Sequence, residues 1–149
     1  MEHILISFVT VRNNRGIHHS VVKEMMPPVS AQAALDLRIS LAMEYGAESV
    51  KILNWDILPG RDAHPGGPAG PFPYFISFMA VADRGLQGFD CYNVAFSEPL
   101  LTTADIRGEE EECRSALQLD RVVILSCKPL AEATPEQVAD IQIPEGVQM

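Results

Sequence analysis

The hexapeptide ISFVTV at residues 6–11 recurs as ISFMAV at residues 76–81, and this similarity indicates a repeated fold. Further along the chain the offset changes from 70 to 72 residues and then holds, so that Ser30 matches Thr102. Because internal self-similarity at a fixed period marks repeated structural units, the chain is predicted to contain two related units.

The offset of 72 also matches Gly16 with Gly88 and His19 with Cys91 in the second strand of each copy. The two additional residues of the second copy are therefore predicted to lie in the turn between Asp83 and Gly88. Insertions are tolerated best in such turns, because they run over the protein surface.

Each copy has the same local pattern: a strand, a glycine-containing turn, a second strand, a helix and a final strand. Proline breaks the chain before the helix. Ser30 and Thr102 are predicted N-caps, and Asp105 adds a carboxylate to the first turn of the second helix. The unit is thus a ββαβ arrangement. The predicted strands are 4–11, 17–25 and 49–58 in the first copy and 74–81, 89–96 and 121–128 in the second.

The predicted organisation is a single domain made of two repeats. The first ββαβ unit covers residues 1–58, a linker rich in proline and glycine covers 59–73, the second unit covers 74–130, and a tail covers 131–149. The density of Pro and Gly argues against regular structure in the linker. In the tail, residues 134–137 have the pattern of a capped helical turn, and residues 141–147 could pack against the domain.

The predicted fold class is α+β: two pseudo-symmetric ββαβ units form a mainly antiparallel sheet with helices on one face, followed by a C-terminal tail. The first strands are apolar on both faces, which indicates a sheet covered on both sides. Two helices cover only one face, so the tail, the other half or a second subunit must cover the rest, and a homodimer is a possible state.

Two aligned pairs carry opposite charges, Arg38 with Glu110 and Asp56 with Lys128. Residues near a pseudo-two-fold axis meet their own counterparts. We therefore predict that at least one of these two pairs forms a salt bridge between the units.

The chain has 149 residues, a formal net charge of −9 and 47% hydrophobic residues, which suits one globular domain. The negative balance argues against direct nucleic-acid binding, because phosphate affinity depends on clustered Lys and Arg. No segment is long enough to span a membrane. The acidic start does not resemble a signal peptide, and three cysteines without CxxC spacing fit a reducing, cytoplasmic setting.

Candidate catalytic and metal-binding residues are few. Cys91 or Cys127 could act as a nucleophile with His18 or His19 as its base, but cysteines in strands usually pack as small apolar residues. The adjacent histidines point to opposite faces of a strand and cannot easily bind one ion. No phosphate-binding loop or catalytic motif occurs. The sequence therefore predicts no catalytic residues, no cofactor and no metal site, and favours a non-enzymatic protein.

The negative charge is concentrated in the second copy. Residues 1–65 have a net charge of −1, whereas residues 66–149 have −8, and Glu109, Glu110, Glu111 and Glu112 fall within one helical turn. With Asp105 they are predicted to bind a protein partner that has a basic surface. By size and charge, the chain is expected to inhibit or regulate a nuclease or nucleic-acid-binding protein, as immunity and phage anti-defence proteins do.

Three alternatives remain open at this point. A small-molecule binding or sensor protein would use a cleft between the repeats, lined by Trp55, Arg61 and His64. A small enzyme would need a cysteine or carboxylate with a perturbed environment in such a cleft. A structural subunit of a homo-oligomer would bury its outer sheet face between identical chains.

Overall fold

The structure, a computed structural model, describes residues 1–82 and 87–132, so the helical turn and packing segment predicted for the tail lie outside the described residues. The elements are β1 (Glu2–Arg12), β2 (Arg15–Met25), α1 (Ala31–Tyr45), β3 (Ser49–Leu58), β4 (Phe72–Val81), β5 (Gln87–Phe96), α2 (Thr103–Leu117) and β6 (Arg121–Pro129).

The α+β class and the two ββαβ units are confirmed. The strands form two antiparallel sheets of three strands each rather than one sheet of six: sheet A has the order β2-β1-β3 and sheet B has the order β5-β4-β6. The similarity extends to an irregularity, because the register shifts between Ser7 and Phe8 in sheet A and between Ser77 and Phe78 in sheet B. The two units therefore share a β-bulge at the same position.

The pairing registers correct one part of the sequence alignment. Ser7 lies opposite Ser20 in sheet A, and Ser77 lies opposite Cys91 in sheet B. The second strands are thus offset by 71 residues, and Cys91 is the counterpart of Ser20 rather than of His19. One of the two extra residues of the second unit therefore lies before β5 and the other after it. The difference matters because a one-residue slip in register exchanges the two faces of a strand.

Both helices begin at the predicted caps. The Ser30 side chain accepts a hydrogen bond from the Ala33 amide, with Ser30 Oγ 3.1 Å from the nitrogen. Thr102 and Asp105 form a reciprocal capping box at the start of α2. Each cap satisfies backbone donors that have no partner within the helix.

The first unit has a core of its own between α1 and one face of sheet A. Leu37 and Leu41 of α1 are buried and face sheet A. The buried members of this cluster are Ile4, Ile6, Phe8, Leu37, Leu41 and Val50, with Trp55 packed against them half-buried.

The opposite face of sheet A is covered by the second unit. Leu5 lies in a cluster with Ile106 of α2 and Ile124 of β6, and all three side chains are fully buried. In addition, β6 contacts all three strands of sheet A, and α2 contacts β2. Helix α2 therefore packs against its own sheet B on one side and against sheet A on the other.

One of the two predicted salt bridges forms. Lys128 pairs with Asp56, whose carboxylate is 4% exposed and also accepts hydrogen bonds from the Cys127 amide and the Ser126 hydroxyl, both at 2.9 Å. The pair joins β3 to β6. By contrast, Arg38 donates to the Val50 carbonyl and Glu110 bonds to other groups, so the second predicted pair does not form.

The linker between the units contains a short 3₁₀ helix at Arg61–Ala63, and β4 begins at Phe72, inside the segment predicted to lack structure. No helix in residues 1–82 and 87–132 is long and apolar enough to cross a lipid bilayer.

Candidate functional site

The predicted acidic surface is divided by the structure into a buried half and an exposed half. Glu109 is 4% exposed and Glu110 is 8% exposed, so neither can face a partner. Glu111 and Glu112 face solvent, and Glu111 pairs with Arg114 one turn further along α2. Only these last two residues remain from the continuous acidic patch expected for Glu109–Glu112.

Glu110 connects the two units. One carboxylate oxygen, Oε2, accepts hydrogen bonds from Ser20 Oγ at 2.7 Å and from the Ile124 amide at 2.8 Å. The other oxygen accepts from Arg107 Nη1 at 2.8 Å, and the same nitrogen donates to Ser20 Oγ at 2.9 Å. These contacts satisfy a buried carboxylate with donors from β2, β6 and its own helix, as burial of a charged group requires.

Glu109 has a separate role inside the second unit. The Tyr92 hydroxyl donates to Glu109 Oε2 at 2.5 Å. Burial raises the pKa of Glu109, while the hydrogen bond from Tyr92 opposes the increase and the nearby Glu112 adds to it. Burial also raises the pKa of Tyr92, so the hydroxyl stays protonated and acts as the donor.

Asp105 is occupied by the helix cap. Its Oδ2 accepts hydrogen bonds from the amides of Leu101 and Thr102, at 2.8 and 3.0 Å. The capping role predicted for this carboxylate is confirmed, and it leaves Oδ2 directed at the backbone of its own chain.

Of the three residues predicted to line a cleft between the repeats, Arg61 and His64 both contact Phe72, whereas Trp55 lies elsewhere. Trp55 packs against the core beneath α1, as expected for core packing. Arg61 pairs with Glu98 and stacks over the ring of Phe72, with its guanidinium carbon 5.0 Å from the ring centroid. Trp55 and Arg61 thus contribute to different parts of the molecule.

His64 is a structural residue of the linker. It is 4% exposed and lies between Phe72 and Tyr74, with ring centroids 5.2 and 5.0 Å away. Its Nδ1 accepts a hydrogen bond from the Gly66 amide at 2.9 Å, while Nε2 has no hydrogen-bond partner in the part of the chain that the structure describes. Burial lowers the pKa of His64, so the ring is neutral at physiological pH and packs as an aromatic group.

Two of the three cysteines are poorly suited to nucleophilic chemistry. Cys113 and Cys127 are buried, and burial raises the pKa of Cys113 to about 12 and also raises the pKa of Cys127. Neither thiol is therefore ionised near neutral pH. Cys91 is exposed on sheet B, on the strand position that Ser20 occupies in sheet A. Within residues 1–82 and 87–132, no group of three or more His, Cys, Asp or Glu side chains is arranged to hold a metal ion.

The first unit has an open groove between α1 and β3, with a volume of about 610 Å³. Its floor is partly apolar, and two exposed cations, Arg38 and Lys51, lie along it. We call this the α1–β3 groove; its lining residues are Pro28, Ala34, Arg38, Lys51, Ile52, Leu53, Asn54 and Trp55. It includes Trp55, one of the predicted cleft residues.

The corresponding surface of the second unit is an interface. At the offset of 72, Ala34 corresponds to Ile106, and Ile52 corresponds to Ile124. Both counterparts are fully buried by packing that includes Leu5 of sheet A. The equivalent positions are thus covered by protein in one unit and open to solvent in the other. We call the buried set, Leu100, Ile106, Glu110, Ile124 and Cys127, the α2–β6 surface.

Helix α1 also has an apolar stripe on its solvent side. Leu35, Ile39 and Met43 follow one another at intervals of four residues and are 44%, 50% and 79% exposed. At the same positions α2 has Arg107, Glu111 and Ser115. This stripe was not predicted from the sequence, where apolar residues occur around most of the helix.

A second cavity, of about 640 Å³, lies at the end of the β1–β2 hairpin and includes Arg12, Arg15, His19 and Tyr45. Like the α1–β3 groove, it is formed within the first unit and not between the units.

Comparison with known proteins identifies no relative: no protein-family model, no curated protein and no solved structure matches this chain.

Proposed function

We propose that this chain is a non-enzymatic protein that acts by binding another protein, and that the contact is made by the exposed side of α1. The observation that supports this proposal is the exposed apolar stripe formed by Leu35, Ile39 and Met43 of α1. Helix α2 has polar residues at the corresponding positions. Contiguous exposed apolar surface on a folded protein is typical of interaction sites.

The comparison between the two helices supports this proposal because it removes the usual structural explanation for apolar residues. Both helices have the same length and pack on the same kind of sheet, and α2 tolerates Arg107, Glu111 and Ser115 at these positions. The fold therefore does not require apolar side chains there. Burying a Leu, Ile or Met side chain completely contributes about 1.5–3 kcal/mol, which gives a partner a reason to bind here.

In its more specific form, the proposal is that the chain inhibits or regulates a nuclease or a nucleic-acid-binding protein, in the manner of immunity and phage anti-defence proteins. A net charge of −9 complements a basic partner surface. Glu111 and Glu112 are the members of the predicted acidic patch that can contribute, since both are exposed. The three unpaired cysteines support a cytoplasmic location, where thiols stay reduced.

A small-molecule ligand is the second candidate. The α1–β3 groove has a suitable volume, about 610 Å³, and Trp55 offers an aromatic surface. For this candidate function, the binding site is a groove within the first unit and not the predicted cleft between the repeats.

The experiment is affinity capture from the source cell with three forms of the full chain as bait. They are the natural chain, Ile39→Glu with Met43→Ser, and Glu111→Lys with Glu112→Lys. The second form carries residues that α2 has at the same positions, so it is expected to fold. We expect it to lose a protein that the natural chain retains.

The third bait tests whether Glu111 and Glu112 of α2 also contribute to the contact. Loss of the same protein with Glu111→Lys and Glu112→Lys as well supports a basic partner that spans both helices. A protein held equally by all three baits would show that neither helix surface makes the contact. Retention of no protein, together with a small molecule that co-purifies and quenches Trp55 fluorescence, would favour the ligand-binding candidate instead.

A further inference from the structure

The contact between the two units is not symmetric. The α2–β6 surface of the second unit packs on the face of sheet A that carries Leu5, Ser7 and Ser20. A symmetric molecule would also pack the α1–β3 groove of the first unit on the matching face of sheet B. No such contact between α1 and β4 or β5 is among the principal contacts of residues 1–82 and 87–132.

Within residues 1–82 and 87–132, the asymmetric contact between the repeats leaves two surfaces that no other element covers by the same kind of packing. One is the α1–β3 groove, the counterpart of the α2–β6 surface. The other is the face of sheet B that corresponds to the covered face of sheet A, which we call the open face of sheet B. By pairing register it includes Phe75, Ser77, Phe89, Cys91 and Asn93.

Side-chain exposure agrees with this description at three positions, whereas Met79, on the same face, is 1% exposed, so the open part of the face lies around Phe75, Phe89 and Cys91. Phe75 is the counterpart of Leu5 and is 36% exposed, whereas Leu5 is fully buried. Phe89 is the counterpart of His18 and is 63% exposed. Cys91 is exposed, whereas its counterpart Ser20 is 1% exposed. Large apolar side chains thus face solvent on sheet B where the corresponding positions of sheet A are covered or less apolar.

We propose that the α1–β3 groove of one molecule binds the open face of sheet B of a second copy, in the arrangement that joins the two units within the chain. The inference rests on the proposed function, in that α1 is a protein-binding element, and it identifies a second copy as the occupant of the groove. The argument is continuity with an interface that the same fold already makes.

Such a contact is heterologous, because the two surfaces that meet are different. Each molecule therefore offers one free groove and one free sheet face, and association continues beyond the dimer unless the arrangement closes into a ring. Within the chain, Glu110 accepts a hydrogen bond from Ser20; between copies, Arg38 and Cys91 take these positions. The contact between copies lacks that buried hydrogen bond and rests on apolar side chains, so it is weaker than the contact within the chain.

Two variants test the proposal, one on each surface. Ala34→Arg introduces a long charged side chain into the groove, and Ala34 is only half-buried on a helix that accommodates Arg. Phe89→Lys places a cation on the open face of sheet B, two residues from Cys91, the position that would face Arg38 of the groove. Met43→Ser is the control, because Ser115, its counterpart in the second unit, is exposed and lies outside the contact between units.

The measurement is sedimentation velocity of the full chain up to about 1 mM, a range that detects weak self-association. We expect the natural chain and Met43→Ser to form concentration-dependent species of higher mass. Ala34→Arg alone and Phe89→Lys alone are expected to be monomeric. Their equimolar mixture is expected to form a dimer and nothing larger, because each supplies the surface that the other lacks. Far-ultraviolet circular dichroism and thermal unfolding establish that both variants are folded.

The outcomes distinguish failure of this inference from failure of the proposed function. A natural chain that is monomeric at 1 mM overturns the inference, and the proposed function still stands if the capture experiment retains a partner through α1. Self-association that Phe89→Lys leaves intact also overturns it, since the contact then does not use sheet B. Self-association lost in Met43→Ser would show that the α1 stripe, and not the groove, meets the second copy.

Discussion

Glu110 and Glu111 are adjacent in the sequence, carry the same charge and lie in the same run of four glutamates, yet the structure predicts opposite consequences for their removal. Glu110 is 8% exposed and binds groups from β2 and β6, whereas Glu111 faces solvent and pairs only with Arg114 of its own helix. The perturbation is Glu110→Ala, with Glu111→Ala as the matched control.

The magnitude follows from the groups that Glu110→Ala leaves behind. The Ile124 amide, whose hydrogen bond to Glu110 is buried, loses its acceptor, and the Ser20 hydroxyl loses the carboxylate to which it donates. A buried polar group without a partner costs about 1–3 kcal/mol. Arg107 is partly exposed and is solvated when its partner is lost, so it adds little. With two such groups, the expected decrease in the free energy of unfolding is about 2–6 kcal/mol.

Urea unfolding, followed by circular dichroism at neutral pH, measures both variants against the natural chain. Glu111→Ala is expected to change the unfolding midpoint little, because an exposed ion pair is screened by water and salt. Glu110→Gln is expected to fall between the two, since an amide keeps one acceptor oxygen for Ser20 and Ile124 and loses the interaction with Arg107. Equal small effects of Glu110→Ala and Glu111→Ala would refute the role of Glu110 as the link between the units.

Three further predictions concern buried polar groups. Burial raises the pKa of Glu109 above its value of 4.5 in the unfolded chain. The stabilisation by the protonated Glu109 is therefore complete below pH 4.5 and is lost as the pH rises through the folded pKa. Glu109→Gln should remove this decline, which urea unfolding at a series of pH values would measure. Asp56→Ala should lower the free energy of unfolding by about 2–4 kcal/mol, since buried donors lose their acceptor. Lys128→Ala should lower it by less than about 1 kcal/mol, because the lysine side chain is 54% exposed. A larger effect of the lysine variant would contradict this order. His64→Ala should lower the free energy of unfolding by about 2–3 kcal/mol through lost packing between two aromatic rings, and an unchanged melting temperature would contradict a stabilising role of the His64 ring.

Much of the fold could be predicted because the same pattern of elements occurs twice in the sequence. The repeat aligned the elements of both units, and the caps at Ser30 and Thr102 fixed where the helices begin. The register of β5 could not be obtained this way, since Gly16 matches Gly88 by residue type while the backbone pairing places Gly88 opposite Ala80 and shifts the strand by one. Local residue similarity carries less information on register than hydrogen-bonded pairing does.

The candidate site was predicted less well, for two separate reasons. The burial of Glu109 could have been found, because its counterpart at an offset of 72 is Leu37, a core residue of α1. The burial of Glu110 could not, because its partner Ser20 lies 90 residues away and the contact depends on how the units pack. The solvent side of α1 was equally hidden: apolar residues occur around most of the helix, so periodicity does not single out the buried face.

The unequal sharing of core residues between the units also sets an order of folding. The cluster around Leu37 and Leu41 contains residues of the first unit alone. The cluster around Tyr74 and Ile106 includes Leu5 and Leu58 from the first unit. The second unit also has a cluster of its own, around Phe78 and Cys113. During synthesis we therefore expect the first unit to bury its own core once β3 has left the ribosome, whereas the shared cluster must wait for the second half. The shared cluster is then the last part of the core to close, because it needs residues from both halves of the chain.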